Sequence, residues 1–189
     1  MIITKSNRGL PNDFSHTWMD RGCSGFRSYQ IACVLIMLVS LRADAGVPLK
    51  VDHILVIKKK HELQLLSGNE IVKTYSVALG GGGLSPKRRE GDRKTPEGNY
   101  RIDFRNSASM FHLALHISYP NEADKEHARK LGERPGSDIM IHGLGKDFAW
   151  MGAVHRRYDW TDGCIAVTDE EIDEIWRLVP DGTPVTIRP

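Results

Sequence analysis

The segment 159–167 reads DWTDGCIAV, and the segment 139–143 upstream of it reads IMIHG. Each contains a short apolar run of the kind that forms a buried strand. At the edge of each run a reactive side chain stands next to a glycine, Cys164 after Gly163 and His142 before Gly143. A thiol that follows a glycine, with a histidine upstream, is the arrangement that a cysteine nucleophile and its base require. The two segments therefore predict where the chemistry and the strands that support it lie.

Residues 1–45 have the parts of an export signal. Basic residues precede an apolar run over 31–41, and Ala43-Asp44-Ala45 matches the small-x-small cleavage pattern. The run is about half the roughly 20 residues that a membrane-spanning helix needs. We therefore predict an N-terminal extension with a cleavable signal peptide over 1–45, a catalytic domain over 46–189, and no stable membrane span after cleavage. A buried helix or an uncleaved anchor is the alternative.

Charge and cysteine content narrow the class of protein. The chain has 26 Lys and Arg against 24 Asp and Glu, and removal of residues 1–45 leaves 21 of each. With zero net charge and no basic stripe interleaved with aromatic residues, we expect no nucleic-acid partner. Cys23 and Cys33 fall within the leader, so Cys164 is the single cysteine of the exported part. In an oxidising compartment it is a free reactive thiol or an intermolecular bridge.

The exported part reads as a strand-rich domain. Runs of β-branched and apolar residues joined by short turns predict an antiparallel meander at the start and further strands along the chain, over 52–57, 62–66, 71–79, 100–104, 113–117, 138–141, 164–167 and 184–187. Helices are predicted over 122–131, with Asn121 as N-cap, and after Thr168, which begins a capping box. The pattern predicts a mostly-β domain with two short helices.

Two segments carry no regular pattern. Residues 80–98 are polar and glycine-rich, and no Gly-Lys-Ser/Thr run supports a phosphate site there. This segment is either a flexible connector or one wall of a substrate groove. Residues 144–163 are expected to form an irregular loop, and residues 144–160 within it are the second candidate for a groove wall or lid.

Cys164 needs a base because a free thiol has a pKa of about 8.5. His142 is the first candidate for that base, with Gly143 allowing close approach of the backbone. Gly163 would let a substrate carbonyl come near the sulfur, and the N–H groups of Gly163 and Cys164 could hold an oxyanion. The alternative is that Cys164 is a small buried hydrophobic residue with no catalytic role.

Together, IHG at 141–143, TDGCI at 161–165 and GDRKTPEGNY at 91–100 resemble the L,D-transpeptidase catalytic domain (YkuD-like) family over roughly residues 51–188. The resemblance implies a β-sandwich fold and a periplasmic enzyme that forms a cysteine acyl-enzyme with peptidoglycan stem peptides and needs no cofactor. It implies that Cys164 is the nucleophile, His142 the histidine that activates it, and Gly163 the glycine that lines the oxyanion site. Thr161 matches the Ser/Thr of the motif.

Two positions depart from the family pattern. Asp162 stands where many members have a second histidine, and Ala166 stands where many have Arg or Asn. The loop between His142 and Cys164 is also longer than usual. These departures resemble a proteobacterial subgroup that includes the peptidoglycan–lipoprotein amidase, which suggests an outer-membrane lipoprotein as a further partner. They leave the acyl acceptor, amine or water, open.

Other residues near these motifs are candidates for binding substrate. Gly143, Thr161 and Asp162 adjoin the predicted catalytic pair. Trp160 could stack in a substrate groove or pack in the core. His155 is a rival base in what reads as an exposed charged stretch, and Arg157 in the same stretch could bind a substrate carboxylate.

His112 and His116 have a spacing of four residues that suggests a metal site on a helix. Their surroundings read as a strand, where four residues span about 13 Å, and we predict no metal. Three functions therefore compete. The first is a periplasmic L,D-transpeptidase. The second is a cysteine amidase or carboxypeptidase that hydrolyses a stem-peptide or lipoprotein linkage. The third is a non-catalytic module that binds the cell wall.

Overall fold

The computed structural model of the chain describes residues 50–189, so the predicted signal peptide, Cys23 and Cys33 lie outside the described residues. The described part contains eight strands and two α-helices, in the order β1 His53–Ile57, β2 Glu62–Ser67, β3 Glu70–Ser76, β4 Gly98–Ser109, β5 His112–Ile117, α1 Glu122–Lys130, β6 Met140–His142, β7 Ile165–Ala166, α2 Asp169–Leu178 and β8 Pro184–Arg188. It also has two 3₁₀ segments, Lys58–Lys60 and Ala149–Arg157. The predicted mostly-β fold with two α-helices is confirmed.

The strands pair in the order β3-β2-β1-β8-β4-β5-β6-β7. The predicted antiparallel meander is confirmed, since β2 pairs antiparallel with both β1 and β3. The last strand, β8, lies parallel to β1 and antiparallel to β4. The long strand β4 belongs to both halves of the fold, because Gly98 to Arg101 pair with β8 and Ile102 to Ser109 pair with β5.

Main-chain hydrogen bonds also connect the segment that follows β3 to β7, the strand at the opposite end of the strand order. Beyond β3, the N–H of Ala78 donates to Ala166 O at 3.0 Å, and the N–H of Ala166 donates to Ala78 O at 2.9 Å. Further along, the N–H of Gly81 donates to Thr161 O at 2.9 Å. Buried residues from both halves, such as Leu65 and Ile141, belong to one apolar cluster. The segment that carries Cys164 is therefore held by backbone contacts on one side and by β6 on the other.

Both α-helices begin as the sequence predicts. The Asn121 side chain accepts from the N–H of Asp124, and the Thr168 side chain accepts from the N–H of Glu171, each within a complete capping box. Such caps satisfy N–H groups that have no partner within the helix. In α2 the apolar face is buried at Ile172 and Ile175. No helix within residues 50–189 is long and apolar enough to cross a membrane.

The expectation of an irregular loop over 144–163 needs correction. Residues Ala149–Arg157 form 3₁₀ structure, interrupted at Gly152, where φ is 45°. Tertiary contacts stabilise these turns. The His155 side chain is buried, and Arg156 forms an ion pair with Glu171 of α2. The local sequence lacks a helical period of apolar residues, so only these tertiary contacts define the segment.

Candidate active site

The parallel strands β6 and β7 bring the predicted nucleophile and base to one cavity. His142 lies opposite Ala166, and Cys164 precedes Ala166 by two residues, about 7 Å of strand. Both side chains line a cavity of about 380 Å³. The remaining lining residues come mainly from the β4–β5 hairpin and the start of β6, and they are Asn106, Ala108, Ser109, Met110, Phe111, Asp138 and Met140.

His142 is held in the tautomer that a base requires. Its Nδ1 lies 2.6 Å from Gly143 O. Because a carbonyl oxygen only accepts, Nδ1 carries the proton and Nε2 of the neutral ring carries a free lone pair. The side chain is buried, and this burial lowers the pKa of His142 below its ordinary value. The imidazole is therefore neutral at pH 7 and able to take up a proton at Nε2.

Cys164 rests as a thiol. Its Sγ lies 3.5 Å from Asp138 O, to which the S–H donates. Burial raises the pKa of the Cys164 thiol, against a smaller lowering effect from a hydrogen bond with the Met140 backbone. Since burial favours the neutral form of both groups, the site at rest holds a thiol and a neutral imidazole.

The turn before Cys164 is organised by Thr161. The Thr161 hydroxyl donates to Cys164 O at 2.7 Å and accepts the N–H of Gly163 at 3.2 Å. Of the two N–H groups predicted to hold an oxyanion, that of Gly163 is therefore already engaged. Among residues 50–189 the N–H of Cys164 has no hydrogen-bond partner.

Packing accounts for the glycine at position 163. Gly163 has a φ of +127°, and a Cβ there would lie 2.6 Å from Lys94 O. Both the left-handed conformation and the close carbonyl exclude a side chain. The side of Gly163 that a side chain would occupy is therefore filled by Lys94 of the 80–98 segment and by Ile139, so on this side the glycine serves close packing and not the approach of a substrate.

Aromatic rings surround the imidazole. The Phe111 ring lies 4.5 Å from that of His142, and the Trp160 ring lies 6.0 Å from it at 75°. Phe148 packs on Trp160 at 5.7 Å. The sequence singled out Trp160 but missed Phe111 and Phe148. Phe111 sits at the tip of the β4–β5 hairpin, where the local pattern gives no sign of contact with His142.

The stretch that contains His155 is exposed at Arg157 and Tyr158 as expected, but His155 itself is not. Its side chain is buried, and Nδ1 accepts the indole N–H of Trp160 at 3.4 Å. Burial, reinforced by the neighbouring charge of Arg156, lowers the pKa of His155 to about 4. His155 is not among the residues that line the Cys164 cavity. Arg157 is exposed, as expected, but it lies at the end of the 3₁₀ segment Ala149–Arg157 and not in an irregular loop.

The 80–98 segment is anchored by two buried lysines. Lys58 Nζ donates to Thr95 O at 2.9 Å, to Ser85 O at 3.3 Å and to the Glu97 carboxylate at 2.9 Å. Lys87 Nζ donates to Asp92 Oδ1 at 2.9 Å. Of the two expectations for this segment, the packed wall fits these contacts better than the flexible connector.

Asp162, which differs from the family pattern, lies on the outer surface of the 80–98 segment. Its side chain is 88% exposed and accepts from Arg93 Nε at 2.9 Å. Ala166, the second residue that differs from the family pattern, is fully buried in the sheet. Neither residue lines the Cys164 cavity.

The two histidines of β5 each pair with a carboxylate. His112 Nε2 lies 2.9 Å from Asp173 Oδ1, and His116 Nδ1 lies 2.6 Å from Asp103 Oδ1. The prediction that both histidines lie on a strand is confirmed. The two imidazole rings pair with different carboxylates. No group of three residues able to hold a metal ion occurs within residues 50–189.

Comparison with known proteins connects this arrangement to a family. The L,D-transpeptidase catalytic domain (YkuD) family profile matches residues 51–187. YafK of Escherichia coli (strain K12), itself assigned to the L,D-transpeptidases on a provisional basis, is 36% identical over 128 residues, 66% of this chain and 42% of YafK. YqjB of Bacillus subtilis (strain 168), assigned in the same way, is 26% identical over 161 residues, 82% of each chain.

Solved structures share the fold. The helical cell shape determining protein Pgp2 of Campylobacter jejuni, as a K307A mutant, superposes with a TM-score of 0.56 at 23% identity, over 73% of this chain and 47% of Pgp2. Bd1075 of Bdellovibrio bacteriovorus gives a TM-score of 0.51 at 24% identity, over 74% of this chain and 48% of its own. The chain thus spans about half or less of the length of YafK, Pgp2 and Bd1075. Because the family profile covers nearly all of the described residues, the chain belongs to the L,D-transpeptidase catalytic domain family.

Proposed function

We propose that this chain is a cysteine L,D-transpeptidase that acts on peptidoglycan stem peptides, with Cys164 as nucleophile and His142 as base. The observation that supports this most strongly is the shared cavity. A half-buried thiol and an imidazole line it together, and the imidazole Nδ1 is hydrogen-bonded to Gly143 O, which leaves Nε2 free for the thiol proton. The family membership supports the reaction class.

The first half of the proposed cycle forms a thioester. His142 Nε2 takes the Cys164 proton as the sulfur adds to the carbonyl carbon of meso-diaminopimelate, in the amide that joins this residue to D-alanine. Because both groups rest neutral, the proton transfer accompanies the attack and no thiolate exists beforehand. The N–H of Cys164, which is without a partner among residues 50–189, is the donor best placed for the oxyanion.

The second half releases the enzyme. The C–N bond breaks, and D-alanine leaves with the proton that His142 Nε2 returns to its amine. An amine of a second stem peptide then attacks the thioester, loses its proton to His142, and restores the thiol. The rings of Phe111 and Trp160 beside the imidazole would keep water away during this step.

Hydrolysis is the second candidate outcome, in which water resolves the thioester. The structure at the two positions that differ from the family pattern, Asp162 and Ala166, is the reason to test for hydrolysis. Asp162 points outward to Arg93, and Ala166 is buried, so neither position supplies a cationic or amide side chain at the cavity. An amine acceptor bearing a carboxylate would lack that partner, whereas water would not need it.

The test uses purified peptidoglycan fragments with tetrapeptide stems, incubated with the full chain and analysed by mass spectrometry with and without an amine acceptor. A cross-linked or D-amino-acid-exchanged product that requires Cys164 supports the transpeptidase. Hydrolysis that requires Cys164, without a transfer product, identifies an amidase or carboxypeptidase. If the Cys164→Ala variant and the wild type behave alike, the non-catalytic binding module is the better account.

We also propose that the chain works in the periplasm, with a lipoprotein of the outer membrane as one acceptor or substrate. The support is the signal-like pattern of residues 1–45 and the family's cell-wall substrate. A fusion of residues 1–45 to a reporter enzyme that folds only after export tests the location. Reporter activity that survives replacement of the apolar run 31–41 by polar residues would contradict it.

A further inference from the structure

Within residues 50–189, Asp138 is the carboxylate that lines the Cys164 cavity. Its backbone carbonyl oxygen lies 3.5 Å from Cys164 Sγ. Asp138 is exposed, and its carboxylate accepts the Ser137 hydroxyl at 2.6 Å. In the described part of the chain it pairs with no basic side chain, and no lysine or arginine lines the cavity. The cavity therefore presents one uncompensated negative charge beside the nucleophile.

The charge of Asp138 acts on the reacting sulfur. Burial is the main cause that raises the pKa of the Cys164 thiol, and the negative charges of Asp162 and then Asp138 raise it further. The carboxylate oxygens of one residue lie within about 6 Å of its own carbonyl oxygen. The Asp138 carboxylate is therefore within about 10 Å of Sγ. A cation that binds there would cancel the effect of this carboxylate on the thiol.

The backbone holds Asp138 in this place. Its φ is 58°, in the left-handed region that aspartate and asparagine adopt more readily than other residues with a side chain. The next residue, Ile139, is buried, and its carbonyl oxygen accepts the N–H of Ile117 at 3.0 Å. Asparagine tolerates the same backbone conformation, so Asp138→Asn removes the charge and keeps the shape.

The rest of the cavity suits an aliphatic chain. The apolar residues that line it are Ala108, Met110, Phe111 and Met140. The polar residues Asn106 and Ser109 have their oxygens engaged. Asn106 Oδ1 accepts the N–H of Ala108, and Ser109 Oγ accepts the N–H of Phe111, each at 3.0 Å. The amide N–H groups of Asn106 and the hydroxyl hydrogen of Ser109 are thus the donors that this side of the cavity offers. A carboxylate next to a bound ammonium can turn toward them.

We propose that Asp138 binds the ammonium group at the D-centre of meso-diaminopimelate, in the same stem peptide whose carbonyl Cys164 attacks. Five carbon–carbon bonds and one carbon–nitrogen bond separate this ammonium from the reacting carbonyl carbon, a span of about 7 Å when extended. That span suits a carboxylate within about 10 Å of Sγ, with the methylene groups against the apolar walls. The proposal rests on the proposed function, because it assigns the residue that recognises the substrate at that site.

The first test measures binding alone. The full chain carrying Cys164→Ala, which leaves the substrate intact, is titrated calorimetrically with two tetrapeptide stems. One contains meso-diaminopimelate, and the other contains 2-aminopimelate, which lacks only the distal amine. We expect the diaminopimelate stem to bind about tenfold more tightly, the worth of one charge-assisted hydrogen bond. Addition of Asp138→Asn should abolish this preference. Addition of Glu70→Gln, an exposed carboxylate on β3 that does not line the cavity, should preserve it.

The second test measures the reaction of the chain that retains Cys164. Acyl-enzyme formation is followed by intact mass without an acceptor amine, so only the donor stem is present. The ratio of the rates for the two stems should fall from about ten in the wild type to about one in Asp138→Asn. Iodoacetamide, which has no ammonium, should alkylate Asp138→Asn no more slowly than the wild type, because loss of a negative charge does not disfavour the thiolate. Slower alkylation, with both stems slowed equally, would show a merely structural role and overturn the proposal.

Other results would also overturn it. Equal binding of the two stems by Cys164→Ala, or binding of neither, is one, and a preference that survives Asp138→Asn is another. An effect confined to the transfer of a formed acyl group would assign Asp138 to the acceptor amine and contradict the donor assignment. Selective binding without any acyl-enzyme would instead refute the proposed function and leave the ammonium site standing. Acyl-enzyme formation without selectivity would do the reverse.

Discussion

Replacing Lys58 by methionine should cost the protein a large part of its stability. The Lys58 ammonium is fully buried and donates to two backbone carbonyls and to Glu97. Methionine matches the length of the side chain but cannot donate. Removal of one partner from a buried ion pair costs about 3–5 kcal/mol. Because the Glu97 side chain is 21% exposed and can regain some water, we expect the lower end, about 3 kcal/mol.

Urea unfolding followed by circular dichroism measures this loss. With a slope of about 2 kcal/mol per molar urea, a loss of about 3 kcal/mol lowers the midpoint by about 1.5 M. The neighbouring Lys59→Met variant is the matched control, because Lys59 is exposed and its loss should stay within about 0.5 kcal/mol. Equal midpoints for the two variants would refute the assignment of Lys58 as the anchor of the 80–98 segment.

Three further predictions concern the site and its surroundings. Gly163→Ala should lower the free energy of unfolding by about 1–3 kcal/mol, because its Cβ would meet Lys94 O at 2.6 Å, and it should cost more than Gly68→Ala, where the space is open. The free energy of unfolding should fall as the pH drops from about 6.5 to about 4, because His155 in the unfolded chain binds a proton that the folded protein excludes. Alkylation of Cys164 by iodoacetamide should be slow at pH 7 and should accelerate only at a higher pH than alkylation of an exposed cysteine does, since burial raises the pKa of the thiol.

For each of these three predictions, one experimental result would contradict it. Equal unfolding midpoints for Gly163→Ala and Gly68→Ala would show that the Lys94 carbonyl imposes no constraint. A His155→Leu variant should show a shallower dependence of stability on acid pH, and an unchanged slope would assign that dependence to other groups. Fast alkylation at pH 6 would indicate a resting thiolate–imidazolium pair and contradict the neutral site.

The strands and the segments that bring Cys164 and His142 to one cavity could be predicted because their signals are local. The apolar runs that end at His142 and begin after Cys164 are too short to be helices, and each carries a reactive side chain beside a glycine. The caps at Asn121 and Thr168 are likewise contained within four residues. Sequence patterns of this length predict the structure well because no contact with a distant part of the chain is needed to define them.

The residues that the sequence missed depend on distant contacts. Lys58 stands in a run of three lysines that reads as a solvated strand end, and only its partners at 85–97 distinguish it from Lys59. His155 lies in a charged stretch, yet packing against Trp160 buries it. Phe111 reaches His142 only because the β4–β5 hairpin brings it there.

The central claim is that Cys164 carries the acyl group and that His142 Nε2 accepts its proton. Acid-quenched intact-mass analysis of the full chain with a tetrapeptide stem substrate tests it most directly. The account predicts an adduct on Cys164 with the mass of the stem peptide minus D-alanine, absent in Cys164→Ala and strongly reduced in His142→Gln. Substrate consumption by Cys164→Ala at the wild-type rate would contradict it.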